Sequence, residues 1–294
     1  MTAPVLTALG MHRSGTSLGM SVLSALGVAC GEDLIAPGRS NPAGFWEHAD
    51  VVEVQERLLA RLNRVWHGTR GTWPLPDGWL DSPAAEEARR DLTTILTREI
   101  AAHAPRVWGF KDPRTMRLWP LWARVFEDVQ ATPVPVLLYR HPDPVTRSLR
   151  RHNGIDADRA RLVWVQHNLA ALAHTGKTLR IAVEYDSLVT DPGAEVRRLA
   201  TALSDVISPD AAQIDAAVAR VSTDLRTHSA EPAPPDDPFA ARVLDALRDP
   251  GLEKTATLIA DYAAAERLLA PWATGRANVL TDWMVRFLVS RTGR

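Results

Sequence analysis

Short apolar runs alternate along the chain with longer stretches in which apolar residues recur at helical spacing, the pattern of strands and helices taking turns around a parallel sheet. Val5–Leu9 reads as a first buried strand and Thr16–Leu26 as the helix after it. Val51–Leu62 and Ala84–Ala102 carry helical spacing; Val107–Phe110 and Val134–Tyr139 read as further strands. Pro142–Arg151 and Arg161–His174 read as helices, Leu179–Glu184 as a strand and Pro192–Leu203 as a helix. From Asp210 onward the pattern is helical, interrupted by the proline-rich Glu231–Pro238, which predicts an exposed loop or hinge. Trp73–Gly78 predicts another loop, and there is no internal repeat. The expectation is an α/β fold: three αβα layers with a central parallel sheet and a helical C-terminal extension. One domain spans residues 1–294, with a core over about 1–205 and a helical part over 206–294.

Composition narrows the classes. A chain of 294 residues can bury a full core without disulfides or metals. A formal charge of -1 gives no broad electrostatic footprint for nucleic acid or an anionic membrane. Cys30 is the single cysteine, so no intrachain disulfide forms. The N-terminal apolar run has no basic residues ahead of it and breaks at Gly10, His12 and Arg13, unlike a signal peptide. No window reaches the length of a membrane span. These features predict a reduced, cytoplasmic setting. The lysines are Lys111, Lys177 and Lys254, with arginine supplying the other long cations, so each lysine stands out.

The strongest chemical signal is Gly10-Met-His-Arg13-Ser14-Gly15-Thr16-Ser17-Leu18, between a predicted strand and a predicted helix. In that context a glycine-containing turn lets the backbone approach a phosphate, and the helix start presents free N–H groups. Thr16 and Ser17 add hydroxyl donors. The spacing of the glycines is that of a P-loop, but Thr16 stands where the lysine of a nucleoside-triphosphate site would be. Arg13 supplies a cation inside the loop instead. The fold expected is therefore P-loop-like, with an anion site of altered chemistry.

Two further segments leave predicted strand ends. In Tyr139-Arg140-His-Pro142-Asp-Pro-Val-Thr-Arg147-Ser148, Arg140 departs from the carboxyl edge, where ligands bind in open α/β sheets. Ser148 follows about two helical turns later. Alone, this pair reads as an ordinary helix start with a solvated arginine face, and only the glycine turn makes it a candidate anion site. In Gly109-Phe110-Lys111-Asp112-Pro113-Arg114-Thr115, Lys111 is either a point charge at the sheet edge or an exposed lysine in an Asp-Pro turn, and spacing leaves both open.

Together these segments resemble the sulfotransferases that use 3′-phosphoadenosine-5′-phosphosulfate (PAPS), in the branch that includes bacterial small-molecule and carbohydrate enzymes and, more distantly, the tyrosylprotein sulfotransferases. Gly10–Leu18 resembles the 5′-phosphosulfate loop, with Arg13 where many cytosolic members carry lysine. Arg140 and Ser148 match the pair that holds the 3′-phosphate, and Lys111 the lysine that faces the bridging oxygen. Val183–Pro192 resembles the stretch whose tyrosine, here Tyr185, lies near the adenine. Asn41–Glu47 resembles a segment common among bacterial members, and the likeness spans about residues 5–205. The C-terminal Arg-Lys-Gly and Gly-Asp-Trp elements and the histidine base of the cytosolic group have no counterparts, which fits the branch where a glutamate serves. The resemblance implies Arg13, Ser14, Gly15, Thr16, Ser17, Arg140, Ser148 and Tyr185 as donor-binding residues. It implies PAPS as donor and 3′-phosphoadenosine-5′-phosphate (PAP) as product.

Sulfuryl transfer needs a base for the acceptor hydroxyl and cations for the leaving phosphate. Arg13 and Lys111 suit the second task. Glu47, between a Pro-Ala-Gly turn and a helix, is the first choice of base, although a carboxylate at a helix start is also ordinary. His48, Glu32 and Asp33 stand behind it. Trp46, Trp73 and Trp79 are candidates for an acceptor pocket; Trp66, Trp108, Trp119, Trp122 and Trp164 read as packing, and His12 as part of the turn. No metal-ligand spacing is present. A small-molecule or glycan acceptor is implied. The rival classes are a P-loop kinase of a nucleotide or metabolite, weakened by the missing lysine, and a non-catalytic nucleotide-binding protein.

Overall fold

The computed structural model describes residues 2–38, 41, 44–176, 178–221, 235–249 and 252–269. Four parallel strands form one sheet in the order β2-β1-β3-β4: β1 (Ala3–Leu9), β2 (Trp108–Lys111), β3 (Ala131–Tyr139) and β4 (Ile181–Glu184). Alternation within the strands feeds two cores. Val5 and Leu9 of β1, with Leu137 and Tyr139 of β3, face one core; Leu6 and Ala8, with Val134, Val136 and Leu138, face the other.

The first core is covered by α2 (Ala49–Arg61), α4 (Pro83–His103), α5 (Thr115–Asp128), α6 (Pro142–Asn153), α7 (Ala157–Thr175), α11 (Pro238–Arg248) and α12 (Leu252–Leu269), with the short α3 (Gly68–Gly71) between α2 and α4. The second is covered by α1 (Thr16–Ala25), α8 (Tyr185–Thr190), α9 (Pro192–Ala202) and α10 (Ala211–Ala219). The three-layer αβα architecture with a parallel sheet is thus present, and helices beyond residue 205 pack onto both layers. Trp108, Trp119, Trp122 and Trp164 are buried as expected. Trp108, Phe110 and Trp122 stack in series, with ring centres 5.3 and 4.4 Å apart.

The expected boundaries shift in three places. β3 begins at Ala131 and so contains Pro133 and Pro135. Proline is out of place between two strands because it cannot donate. Here the Pro135 carbonyl accepts from Arg180 N–H (3.0 Å), which turns residue 135 toward the β4 side, and β4 pairs only from Val136 onward. The missing donors fall where no partner strand has begun. α7 starts at Ala157 rather than Arg161, because the Asp156 side chain caps it by accepting from Arg159 N–H (3.0 Å). Pro238, expected in a loop, is the first residue of α11, where its fixed φ suits a helix start and Asp237 caps it. Residues 231–234 of that proline-rich piece lie outside the described residues.

Candidate active site

Because all four strands run the same way, the loops after β1, β2 and β3 emerge at one carboxyl edge. The order reverses at β1, whose neighbours are β2 on one side and β3 on the other, and ligands of open α/β sheets bind at such a reversal. A cavity of about 580 Å³ opens there, walled by residues of all three loops.

The loop after β1 is a tight turn closed by Ser14 N–H donating to the Met11 carbonyl (3.1 Å). Arg13 (φ 70°) and Gly15 (φ 79°) both take the left-handed conformation. For arginine that conformation costs energy, and such strain gathers at functional sites. Gly15 is required by space as well, since a Cβ there would fall 2.1 Å from the Tyr185 ring. Gly15 caps α1, whose first turn has no acidic residue, so nothing there offsets the positive end of the helix dipole. Thr16 and Ser17 line the cavity. The Ser17 hydroxyl donates to the Phe45 carbonyl and accepts from Asn41, both at 3.0 Å. Ser14 does not line it; its hydroxyl is buried without a partner.

Arg13 Nε donates to Ser148 Oγ (2.8 Å), so the first loop and α6 meet directly across the cavity wall. The Arg140 guanidinium lies 4.2 Å from the centre of the Tyr185 ring, and its Nε is 3.7 Å from Asp186 Oδ1. Burial lowers the pKa of Arg13, and the nearby Arg140 lowers it further. Two guanidiniums that disfavour each other's charge attract an anion between them. Burial raises the pKa of Asp186, against the pull of Arg140.

Also on the wall, Lys111 Nζ donates to Glu47 Oε1 at 2.6 Å, with both side chains buried. Trp46 takes a left-handed φ of 58° immediately before Glu47. Burial raises the Glu47 pKa, outweighing the ammonium of Lys111. Next to Lys111, Asp112 is fully buried and accepts from Gln55 Nε2 (2.8 Å), Arg114 N–H (2.9 Å) and the Arg114 guanidinium (2.7 Å). Gln55 is held in turn by Trp122 Nε1 (3.1 Å). The aromatic core therefore anchors the base of the site.

Of the remaining candidates, Trp46 lines the cavity, whereas Trp73 is buried in the packing and Trp79 borders a separate pocket. Glu32 and Asp33 are exposed and off the cavity wall. His48 is buried, with Nε2 3.3 Å from Glu99 Oε1 and also off the wall. Among the described residues Asp33, His48 and Asp50 lie close enough to share an ion, but Arg98 already bonds Asp50 at 2.8 Å.

Two cavity residues were not anticipated. His12, assigned only to the turn, lines the wall. Arg220 reaches it from the end of α10, which packs against α1. Arg220 carried no motif to mark it; His12 was visible inside one.

The sulfotransferase family model matches residues 4–205. The chain belongs to the sulfotransferase family. No curated protein matches this sulfotransferase. Among solved structures it is similar to the sulfotransferase domain from the Synechococcus PCC 7002 olefin synthase, at 20% identity over 89% of this chain and 95% of that one, with a TM-score of 0.45. It is also similar to the sulfotransferase domain from the curacin biosynthetic pathway, at 16% identity over 89% of this chain and 98% of that one, with a TM-score of 0.42. Among the described residues no helix of this sulfotransferase is long and apolar enough to cross a membrane.

Proposed function

We propose that this sulfotransferase moves a sulfuryl group from PAPS to a hydroxyl of a small-molecule or carbohydrate acceptor by in-line displacement, with Glu47 as the base. The observation that carries the reading is one cavity lined both by the Arg13–Ser148 and Arg140–Tyr185 groups and by the Lys111–Glu47 pair. The guanidiniums, the hydroxyl of Ser148 and the ring of Tyr185 suit a 3′-phosphorylated adenosine. The glycine turn, Thr16 and Ser17 suit its phosphosulfate.

In the reaction the acceptor oxygen bonds to sulfur as the bond from sulfur to the bridging oxygen breaks. The hydroxyl proton passes to Glu47, and PAP leaves. Charge developing on the released phosphate is met by Lys111 and the loop N–H groups, each such donor contributing roughly 3 kcal/mol. A carboxylate whose pKa is raised by burial is better matched to taking a proton near neutral pH than an ordinary one. Lys111 both holds that carboxylate and faces the leaving group, so departure of the phosphate and proton transfer are coupled through one ammonium.

Glu47→Gln tests the assignment. PAP should bind it as it binds the wild type, while turnover falls by about 10²–10⁴-fold. Turnover close to wild type would remove Glu47 as the base.

A further inference from the structure

His12 sits one residue before Arg13, and its partly buried ring lines the cavity beside Lys111 and Glu47. Trp66, from the segment after α2, stacks on it with ring centres 3.7 Å apart and planes at 27°. His67 meets Trp66 edge-on, with ring centres 4.3 Å apart. Nε2 of His12 is buried without a hydrogen-bond partner and out of reach of a ligand in the cavity, so the ring meets the cavity along its remaining edge. Around it, Lys111 donates to Glu47, Arg114 bonds Asp112 and Glu56, and His167 Nδ1 bonds the Val163 carbonyl, while His167 Nε2 is likewise buried without a partner.

Burial lowers the His12 pKa well below the ordinary value, and Arg114, His167, Lys111 and His67 lower it further. The imidazole is therefore neutral at physiological pH, with one N–H and one lone pair. It is well suited to hold a hydroxyl.

We propose that His12, clamped by Trp66, binds the acceptor hydroxyl and holds its oxygen toward the sulfur while Glu47 takes the proton. This inference rests on the sulfuryl-transfer reading above. It makes His12 a catalytic residue that orients without changing charge, and Trp66 the residue that positions it.

The test uses initial rates of label transfer from sulfur-labelled PAPS into the small-molecule fraction of a host-cell extract, beside calorimetric titration with PAP. His12→Ala should cut transfer roughly 100-fold, the scale of losing alignment at a reacting atom. Its affinity for PAP should stay close to wild type. His12→Gln, which keeps an uncharged donor and acceptor, should restore part of the rate, and the acid limb of its pH–rate profile should coincide with the wild-type limb. Trp66→Ala leaves the Gly10–Leu18 loop intact and should lower transfer without weakening PAP. The proposal is overturned if His12→Ala transfers label at nearly the wild-type rate, or if it loses PAP as strongly as it loses transfer. It is equally overturned if the acid limb moves in His12→Gln, which would make the imidazole the base. A wild-type protein that fails to bind PAP or to transfer label would instead remove the sulfuryl-transfer reading itself.

Discussion

Replacing Lys111 by Met keeps most of the side chain's volume and removes only its charge, leaving Glu47 facing an apolar tip. Lys111 is 2% exposed and Glu47 6%, and their contact is 2.6 Å, so water from the cavity replaces the lost partnership only in part. Breaking one side of a buried pair costs about 3–5 kcal/mol. For a protein of this size that is a fall in Tm of roughly 6 °C or more. The pH dependence has a definite sign. Burial already raises the Glu47 pKa, and Lys111 opposes that rise through its charge and its hydrogen bond. Without Lys111 the folded pKa rises further above the unfolded value. The folded state then holds the extra proton, so stability drops as pH climbs from the ordinary carboxylate value toward the raised one. Urea unfolding should therefore show a larger Lys111→Met deficit at about pH 8 than at about pH 5. Adding Glu47→Gln should recover much of the loss at the higher pH, because no charge is left stranded. A Lys111→Met protein as stable as wild type at the higher pH, or a deficit independent of pH, would refute this account of the pair.

Arg140→Ala should weaken PAP binding by about 10- to 100-fold, the worth of a charged hydrogen bond, while barely changing affinity for the analogue without a 3′-phosphate. Calorimetry showing equal loss for both would refute the assignment. Gly15→Ala places a methyl 2.1 Å from the Tyr185 ring at a φ of 79°, so it should lower both thermal stability and PAP affinity. In a Tyr185→Ala background the same change should cost less, and strictly additive losses would show that the ring contact is not the cause.

The strands were legible because their apolar runs were short and set between helical stretches. β3 was read from Val134, three residues after its start at Ala131, and only the register shows it pairing there with β1 alone before β4 begins. The cations of the cavity were readable as well: Arg13, Lys111 and Arg140 lie at or just past strand ends, and parallel strands carry such residues to one rim. Partnerships were not. Sequence separation hides that Arg13 bonds Ser148, 135 positions away, or that Glu47 reaches Lys111 across 64. His12 was seen but undervalued, because its significance comes from Trp66, whose placement depends on the irregular segment after α2. Glu32 and Asp33 lay near in sequence to the site and proved to face solvent.

Arg220 enters the cavity wall from a helix that follows the family-matched residues 4–205. The strands, the glycine turn and the paired lysine and carboxylate are all made earlier. A ribosome must therefore synthesise and release α10, and that helix must settle on α1, before the wall is whole. A chain that stops short of α10 would lack that part of the wall.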